Sequence, residues 1–145
     1  MIATVRKTKT AEETIACGIE LAKQLVPPQL VLLQGELGAG KTTLVKGIAE
    51  GFGAAKRENV TSPTFTLVHE YRSPDLTLYH IDLYRIETLR ELDTLAIDDL
   101  RDTRSILLIE WGEKFERFRQ EADLVVALER TGDKERTITW SRTTH

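Results

Sequence analysis

The hydrophobic positions of this chain follow two spacings, one typical of strands and the other typical of helices. Two short runs are continuously apolar, LVLL at 30–33 and ILLI at 106–109. Both predict buried strands, and we expect the second to be a central strand of a sheet. After the first run, apolar residues recur at helical spacing from Leu44 to Phe52. The pattern therefore predicts a strand, a loop and a helix across residues 30–52.

A further strand and helix are predicted before this unit. Residues 1–5 predict a short first strand, and Thr10 and Glu13 have the spacing of a helix capping box. The helix that follows should end at the two prolines that precede the first apolar run. Its apolar stripe consists of Ile15, Ile19, Ala22 and Val26.

Two hairpins are predicted in the second half of the chain. Residues 65–71 and 76–82 alternate between two faces and are joined by the short turn at 73–75, which requires antiparallel strands. Residues 124–128 and 137–140 predict a terminal hairpin around a Thr-Gly-Asp turn. Between the hairpins, residues 87–100 predict a helix. Its apolar side consists of Leu89, Leu92 and Ala96.

The loop between the first apolar run and its helix has the sequence GELGAGKT at 35–42, which fits the phosphate-binding pattern G-x-x-x-x-G-K-[ST]. Its glycines let backbone N–H groups turn toward an anion at a helix N-terminus. We expect Lys41, facing solvent, to reach the β- and γ-phosphates of a nucleotide and Thr42 to bind Mg²⁺. The expected phosphate contacts are Gly35, Gly38, Ala39, Gly40, Lys41, Thr42 and Thr43.

These elements together predict an α/β fold. The expected architecture is a three-layer sandwich like that of P-loop NTPases, with a mixed sheet that includes antiparallel strands. The chain has 145 residues, of which 41% are hydrophobic and 30% are charged, so we expect a single domain over residues 1–145.

Two acids end predicted strands and are candidates for holding Mg²⁺ and orienting an attacking water. Asp82 ends one strand and Glu110 ends the most apolar one, and the alternative for each is an acid that simply faces water. Ser62 and Thr64 lie where many nucleotide hydrolases keep a loop ordered by the γ-phosphate. Their alternative is a turn that hydrogen-bonds its own backbone. His80 is expected to be a partly buried histidine with its hydrogen bonds satisfied.

Composition and missing motifs argue against several classes of function. The net charge of −3 argues against binding to a DNA backbone and makes any contact with RNA indirect. No segment has the length of a membrane span or the core of a signal peptide, so a cytoplasmic protein is expected. Cys17 is the only cysteine, which excludes an internal disulfide, and it should lie in packing or on a helix surface. The chain lacks Asn-Lys-x-Asp and Asp-x-x-Gly, which argues against an ordinary GTPase.

Several motifs occur together along the chain, in an order that resembles the bacterial TsaE (YjeE) family. They are GELGAGKT at 35–42, SPTFTLV at 62–68, YHIDLYR at 79–85, EL at 91–92 and IEW at 109–111. The resemblance implies an ATPase, weak alone, that is required for threonylcarbamoyladenosine formation on tRNA next to the anticodon. It also implies that the partner is the TsaD–TsaB heterodimer, which carries out the transfer, and that tRNA is met only through that complex.

Residue roles also follow from the resemblance. Lys41, Asp82 and Glu110 are the implied catalytic residues, Thr42 and Glu110 are the implied Mg²⁺ ligands, and ATP is the implied cofactor. The resemblance implies that the adenine is contacted from the start of the first helix and from the last hairpin, here by Thr10, Ala11 and Arg136. Ser62, Thr64 and Trp111 are further expected nucleotide contacts, although Trp111 is on general grounds a core residue. Two other functions stay open: a small-molecule kinase that uses the same loop, and a nucleotide-dependent binding switch.

Overall fold

Seven strands form one mixed sheet in the computed structural model, which describes residues 3–143. The strands are β1 (Thr4–Thr8), β2 (Gln29–Gln34), β3 (Val68–Arg72), β4 (Thr77–Asp82), β5 (Ser105–Glu110), β6 (Leu124–Arg130) and β7 (Arg136–Arg142). The helices are α1 (Ala11–Ala22), α2 (Lys41–Gly51), α3 (Leu89–Thr94), α4 (Ile97–Leu100) and α5 (Glu116–Glu121), with 3₁₀ turns at Arg57–Asn59 and Gly112–Lys114.

The strand order is β1-β7-β6-β2-β5-β4-β3. Strands β6, β2, β5 and β4 are parallel to one another, whereas β1, β7 and β3 pair antiparallel with their neighbours. The two predicted hairpins are therefore confirmed, as is the mixed sheet. Strand β5 lies between two parallel partners with all six residues buried, which explains its uninterrupted apolar run.

The sheet is covered on both faces, which confirms the three-layer sandwich. One face packs against α1 and α2, through residues such as Leu21, Leu44 and Ile48. The opposite face packs against the second half of the chain, where Leu92 and Phe118 join the core from α3 and α5. Alternate residues of β5 enter the two cores, as the two-residue period of a strand requires.

The first helix is shorter than predicted. It begins at the predicted cap, where the Thr10 hydroxyl accepts a hydrogen bond from the Glu13 N–H, but it ends at Ala22. Val26 is 63% exposed and does not extend the apolar stripe, because its N–H donates to the Gln29 side chain instead of continuing the helix. Cys17 is buried in α1, and burial raises the pKa of its thiol to about 11.

The first strand also differs from its prediction, since it spans Thr4–Thr8. The predicted residues Met1 and Ile2 lie outside the described residues.

Strand β3 begins three residues later than the alternation indicated. Leu67 has a φ of 71°, a left-handed conformation that breaks the strand, and its N–H donates to the Pro63 carbonyl. Phe65, predicted to lie in the strand, is 79% exposed in the loop before it. The loop between α2 and β3 is therefore longer than the sequence pattern predicted.

The predicted helix over residues 87–100 is two short helices. Ala96 adopts a left-handed φ of 49° between α3 and α4, so the chain changes direction there. Leu89 is 65% exposed and Ala96 is exposed, which makes both wrong as core positions. Leu92 and Ile97 are the residues that become buried. Within residues 3–143, no helix has both the length and the apolar character needed to cross a membrane.

Helices α1 and α2 approach each other closely at two glycines, and this contact can be tested. A Cβ atom on Gly47 would lie 2.0 Å from the Ile15 carbonyl oxygen, and one on Gly18 would lie 2.3 Å from the Leu44 carbonyl oxygen. We expect Gly47→Ala to lower the free energy of unfolding by about 1–3 kcal/mol or more, because the helices must separate. Urea denaturation measures this. An unchanged or higher midpoint, as helix propensity alone would give, would contradict the contact.

Candidate nucleotide-binding site

The phosphate loop joins the end of β2 to the start of α2. Gly38 and Gly40 have φ angles of 80° and 99°, which lie in the left-handed region where a side chain would be strained. Gly40 is the residue before α2, and within residues 3–143 no side chain caps that helix by a hydrogen bond. The first N–H groups of α2 are therefore left for an anion, which is the property that a phosphate site at a helix N-terminus requires.

Lys41 is almost fully buried, with 5% exposure, so the expectation that it faces solvent is wrong. Its ammonium donates to the Gly35 carbonyl at 2.5 Å, lies 3.8 Å from Glu110 Oε1 and lies 4.4 Å from the centre of the Trp111 ring. The indole ring and the end of β5 thus cover the lysine. A cation over an aromatic face is stabilised there, and Trp111 belongs to the site as well as to the packing.

The two acids lie side by side at the ends of adjacent parallel strands, because Asp82 and Glu110 are register partners. Both are buried, at 4% and 5% exposure, so the alternative of acids that face water is wrong. Glu110 Oε2 bonds to His80 Nε2, and the Asp82 oxygens accept hydrogen bonds from Thr64 Oγ1 at 3.0 Å and from the Tyr84 N–H at 2.9 Å. The acids, Lys41 and the start of α2 thus meet at one edge of the sheet.

The Ser62–Thr64 loop is held by hydrogen bonds at its hydroxyls and at both of its flanks. Ser62 Oγ and Thr64 Oγ1 are 2.7 Å apart, and Thr64 also bonds to Asp82. His69 of β3 bonds to the Thr61 carbonyl at 3.1 Å and to the Thr66 hydroxyl at 2.6 Å. The Thr64 hydroxyl therefore bonds to the acid of β4, and the contact of this loop with a γ-phosphate stays a prediction.

A second part of the site is a cavity of about 360 Å³ on the other side of the phosphate loop. It is lined by Thr10, Ala11, Glu12, Thr14, Gly40, Thr43, Lys134 and Arg136. The structure brings together all three residues assigned to the adenine, Thr10, Ala11 and Arg136, beside Gly40 and Thr43 of the phosphate loop. Their contact with a base stays a prediction.

Arg136 has a structural task that the sequence did not indicate. Its guanidinium donates from Nε to the Ala39 carbonyl at 3.0 Å and from Nη2 to the Gly38 carbonyl at 3.2 Å. It also donates to the Gly132, Asp133 and Glu135 carbonyls of its own hairpin turn. Arg136 therefore ties the β6–β7 turn to the phosphate loop.

Sequence reasoning missed three further residues at this edge. His80 was expected to be partly buried and satisfied, but it is fully buried and its Nδ1 has no hydrogen-bond partner among the described residues. Its alternation with Asp82 along β4 was a usable signal. Lys114 donates to the carbonyls of Leu83, Tyr84 and Ile86, and the Tyr84 ring packs on Trp111 at 5.2 Å. No local pattern indicates either contact.

The metal ligands assigned from the sequence are few. Thr42 lies half-buried in the first turn of α2, and Glu110 is the acid nearest to Lys41. Within residues 3–143, no group of three or more His, Cys, Asp or Glu side chains is arranged to enclose a metal ion. One hydroxyl and one carboxylate suit Mg²⁺, which commonly takes its remaining ligands from phosphate and water.

Comparison with known proteins decides the family. A family model described as threonylcarbamoyl adenosine biosynthesis protein TsaE matches residues 8–138. The chain belongs to the TsaE family. The resemblance drawn from the sequence motifs is thereby confirmed.

Individual members of the TsaE family align over most of the chain. A Bacillus subtilis protein named tRNA threonylcarbamoyladenosine biosynthesis protein TsaE is 39% identical over 135 residues, or 93% of this chain and 83% of that protein. A Haemophilus influenzae protein of the same name is 47% identical over 100 residues, or 69% of this chain and 62% of the relative. The crystal structure of Bacillus subtilis YdiB matches with a TM-score of 0.73 at 32% identity, covering 99% of this chain and 87% of that one. This match supports the α/β fold.

The buried lysine yields a test of how the site is held together. We expect Lys41→Met to lower the free energy of unfolding by about 1–3 kcal/mol, because Glu110 loses the nearby positive charge inside the protein. Glu110→Gln should also destabilise. Because the two charges interact, the double variant should be less destabilised than the sum of the single variants. Urea denaturation of all four proteins measures the coupling, and additive effects would show that the 3.8 Å contact has no energetic role.

Proposed function

We propose that this chain binds ATP with Mg²⁺ and hydrolyses it as an accessory subunit in the threonylcarbamoyladenosine modification of tRNA next to the anticodon. The observation that carries the proposal is the meeting of Lys41, Glu110 and Asp82 at the uncapped start of α2. A buried cation beside free helix N–H groups suits a polyphosphate. Two buried acids beside it suit a reaction on that phosphate.

Each part of the site has a task in this reaction. The N–H groups of the phosphate loop and the Lys41 ammonium would bind the phosphates, and the cavity at Thr10, Ala11 and Arg136 would hold the nucleoside. Mg²⁺, held by Thr42 and Glu110, would neutralise charge on the phosphate oxygens. Asp82 or Glu110 would orient the water whose oxygen forms a bond to the γ-phosphorus as the bond to the bridging oxygen breaks. Burial of both acids strengthens these interactions, because less water screens them.

The pathway is supported by the names of the relatives, which are proteins of tRNA threonylcarbamoyladenosine biosynthesis. We infer that the TsaD–TsaB heterodimer is the partner and carries out the transfer itself. The chain's own charge of −3 suits a subunit that meets tRNA only through a complex, because phosphate-backbone binding relies on basic surfaces. We place this function in the cytoplasm, where tRNA is modified.

Simple assays separate two other functions from the proposed one. A small-molecule kinase would move the labelled γ-phosphate of ATP onto a metabolite, whereas the proposed ATPase releases free phosphate. A binding switch would use the nucleotide only for timing. A Glu110→Gln variant that binds ATP without hydrolysing it would then support tRNA modification at the normal rate, and the proposed ATPase would not.

The role assigned to Thr42 can be tested through its dependence on metal. We expect Thr42→Ala to weaken ATP binding and hydrolysis in the presence of Mg²⁺, because the hydroxyl is the proposed metal ligand. In EDTA the affinity for ATP should hardly change. Thr42→Ser, which keeps the hydroxyl, is the matched control and should behave as the wild type does. Equal losses of affinity with and without Mg²⁺ would contradict the assignment.

The isolated chain should be a slow ATPase that its partner accelerates. The sequence provides no clearly placed arginine to stabilise the transferred phosphate, and an arginine supplied by a partner can contribute on the order of 10³ to 10⁵ in rate. We expect saturating TsaD–TsaB heterodimer to raise the hydrolysis rate at least about tenfold and to bind more tightly with ATP than with ADP. Phosphate release and co-purification measure the two effects. A rate that the heterodimer leaves unchanged would mean that this chain completes its own site.

A further inference from the structure

His80 occupies a fully buried position directly beneath the two acids. It lies on β4 two residues before Asp82, so both side chains point to the face of the sheet that packs against α2. Its register partners are His69 on β3 and Leu108 on β5. Burying a polar ring here costs free energy, because its nitrogens lose their hydrogen bonds to water. An apolar side chain would fill the same space without that cost, so the presence of a histidine needs an explanation.

The hydrogen bond of His80 defines which nitrogen carries the proton. Nε2 bonds to Glu110 Oε2, and a carboxylate oxygen can only accept, so Nε2–H is the donor. Nδ1 is buried and has no partner among residues 3–143. The geometry therefore places a proton on Nε2, and that N–H is donated to Glu110.

Because of this hydrogen bond, the two carboxylate oxygens of Glu110 have different surroundings. Oε2 is held by His80, and Oε1 stays 3.8 Å from the Lys41 ammonium. A charge-assisted hydrogen bond between an ammonium and a carboxylate would be about 2.7–2.9 Å long. The lysine instead donates to the Gly35 carbonyl at 2.5 Å. Lys41 and Glu110 thus lie close together inside the protein, but they do not form a direct hydrogen-bonded ion pair.

We propose that His80 is a positioning residue that holds the Glu110 carboxylate back from Lys41. The ammonium then keeps N–H groups for phosphate besides the one that it donates to Gly35, and Oε1 stays available for Mg²⁺ or water, an inference that rests on the proposed ATPase function. Without His80, the carboxylate can rotate about its last side-chain bond and bind the lysine with either oxygen. The lysine would then have to leave a direct ion pair before it could bind a nucleotide.

Four variants separate this role from simple packing. His80→Phe keeps a buried ring but removes the donor, and His80→Gln keeps an N–H that can reach Glu110. Leu78→Val changes a buried residue on the same face of β4 and serves as the control for loss of stability. The fourth variant combines His80→Phe with Glu110→Gln, so that the group next to Lys41 is no longer charged.

The readout is the affinity for ATP in EDTA, measured by calorimetry, which needs neither metal nor turnover. We expect His80→Phe to weaken ATP binding at least about tenfold, whereas His80→Gln and Leu78→Val should bind within about threefold of the wild type. Adding Glu110→Gln to His80→Phe should restore the affinity, because a neutral amide does not form an ion pair with the ammonium. An unchanged affinity in His80→Phe, or no recovery in the double variant, would overturn the assignment of His80.

A second measurement tests the hydrogen bond in the protein without nucleotide. Long-range proton–nitrogen correlation spectra of ¹⁵N-labelled protein should show a proton on Nε2 of His80. An Nε2 without a proton would overturn the proposal, because His80 would then have no N–H to donate to Glu110. Failure of the wild-type protein to bind ATP would overturn the proposed function itself, whereas ATP binding by the wild type with no change in His80→Phe would overturn only the role of His80.

Discussion

The positive charge of Lys41 is buried at the carboxyl ends of the parallel strands, and the arrangement of this end of the molecule depends on it. The Lys41 ammonium has lost most of its contact with water, so it needs compensating groups, and it finds them in the Gly35 carbonyl, Glu110 and the face of Trp111. Those three groups come from the end of β2 and the end of β5. The lysine can be buried in this way only if the two strands end side by side, and the parallel pairing of β2 with β5 ensures that they do.

The same edge is tied to the periphery of the fold by main-chain contacts. Arg136 joins the terminal hairpin to the phosphate loop through the carbonyls of Gly38 and Ala39. On the other side, Lys114 donates to three carbonyls of the segment that follows Asp82. Both side chains are long cations that bind carbonyl oxygens of irregular backbone, where no ladder of strand hydrogen bonds is available. Both side chains therefore link the loops of the site to neighbouring segments of the fold.

Sequence patterns predicted those features that depend on neighbours along the chain. The GELGAGKT motif between an apolar run and an amphipathic helix correctly predicted the strand, the loop and the helix. The strand patterns and turn residues predicted both hairpins. Strand ends gave Asp82 and Glu110, because ligands in such sheets bind at the carboxyl ends of the strands.

The features that the sequence did not predict depend mostly on contacts between distant segments of the chain. The burial of Lys41 requires Trp111 to cover it, and the bond between His80 and Glu110 requires β4 and β5 to be in register. The late start of β3 follows from the backbone of Leu67, a residue type that seldom adopts a positive φ and therefore gives no local signal.

The two acids of the site differ in the hydrogen bonds that their oxygens already accept. Asp82 accepts a hydrogen bond at each oxygen, one from the Tyr84 N–H and one from the Thr64 hydroxyl. Among residues 3–143, Glu110 accepts a hydrogen bond from a histidine at Oε2, and its Oε1 lies 3.8 Å from the Lys41 ammonium. Any movement of the Thr64 hydroxyl toward another acceptor removes a hydrogen bond from Asp82. Asp82 is thus coupled to the state of the Ser62–Thr64 loop, whereas the hydrogen bond that Glu110 accepts comes from β4 and not from that loop.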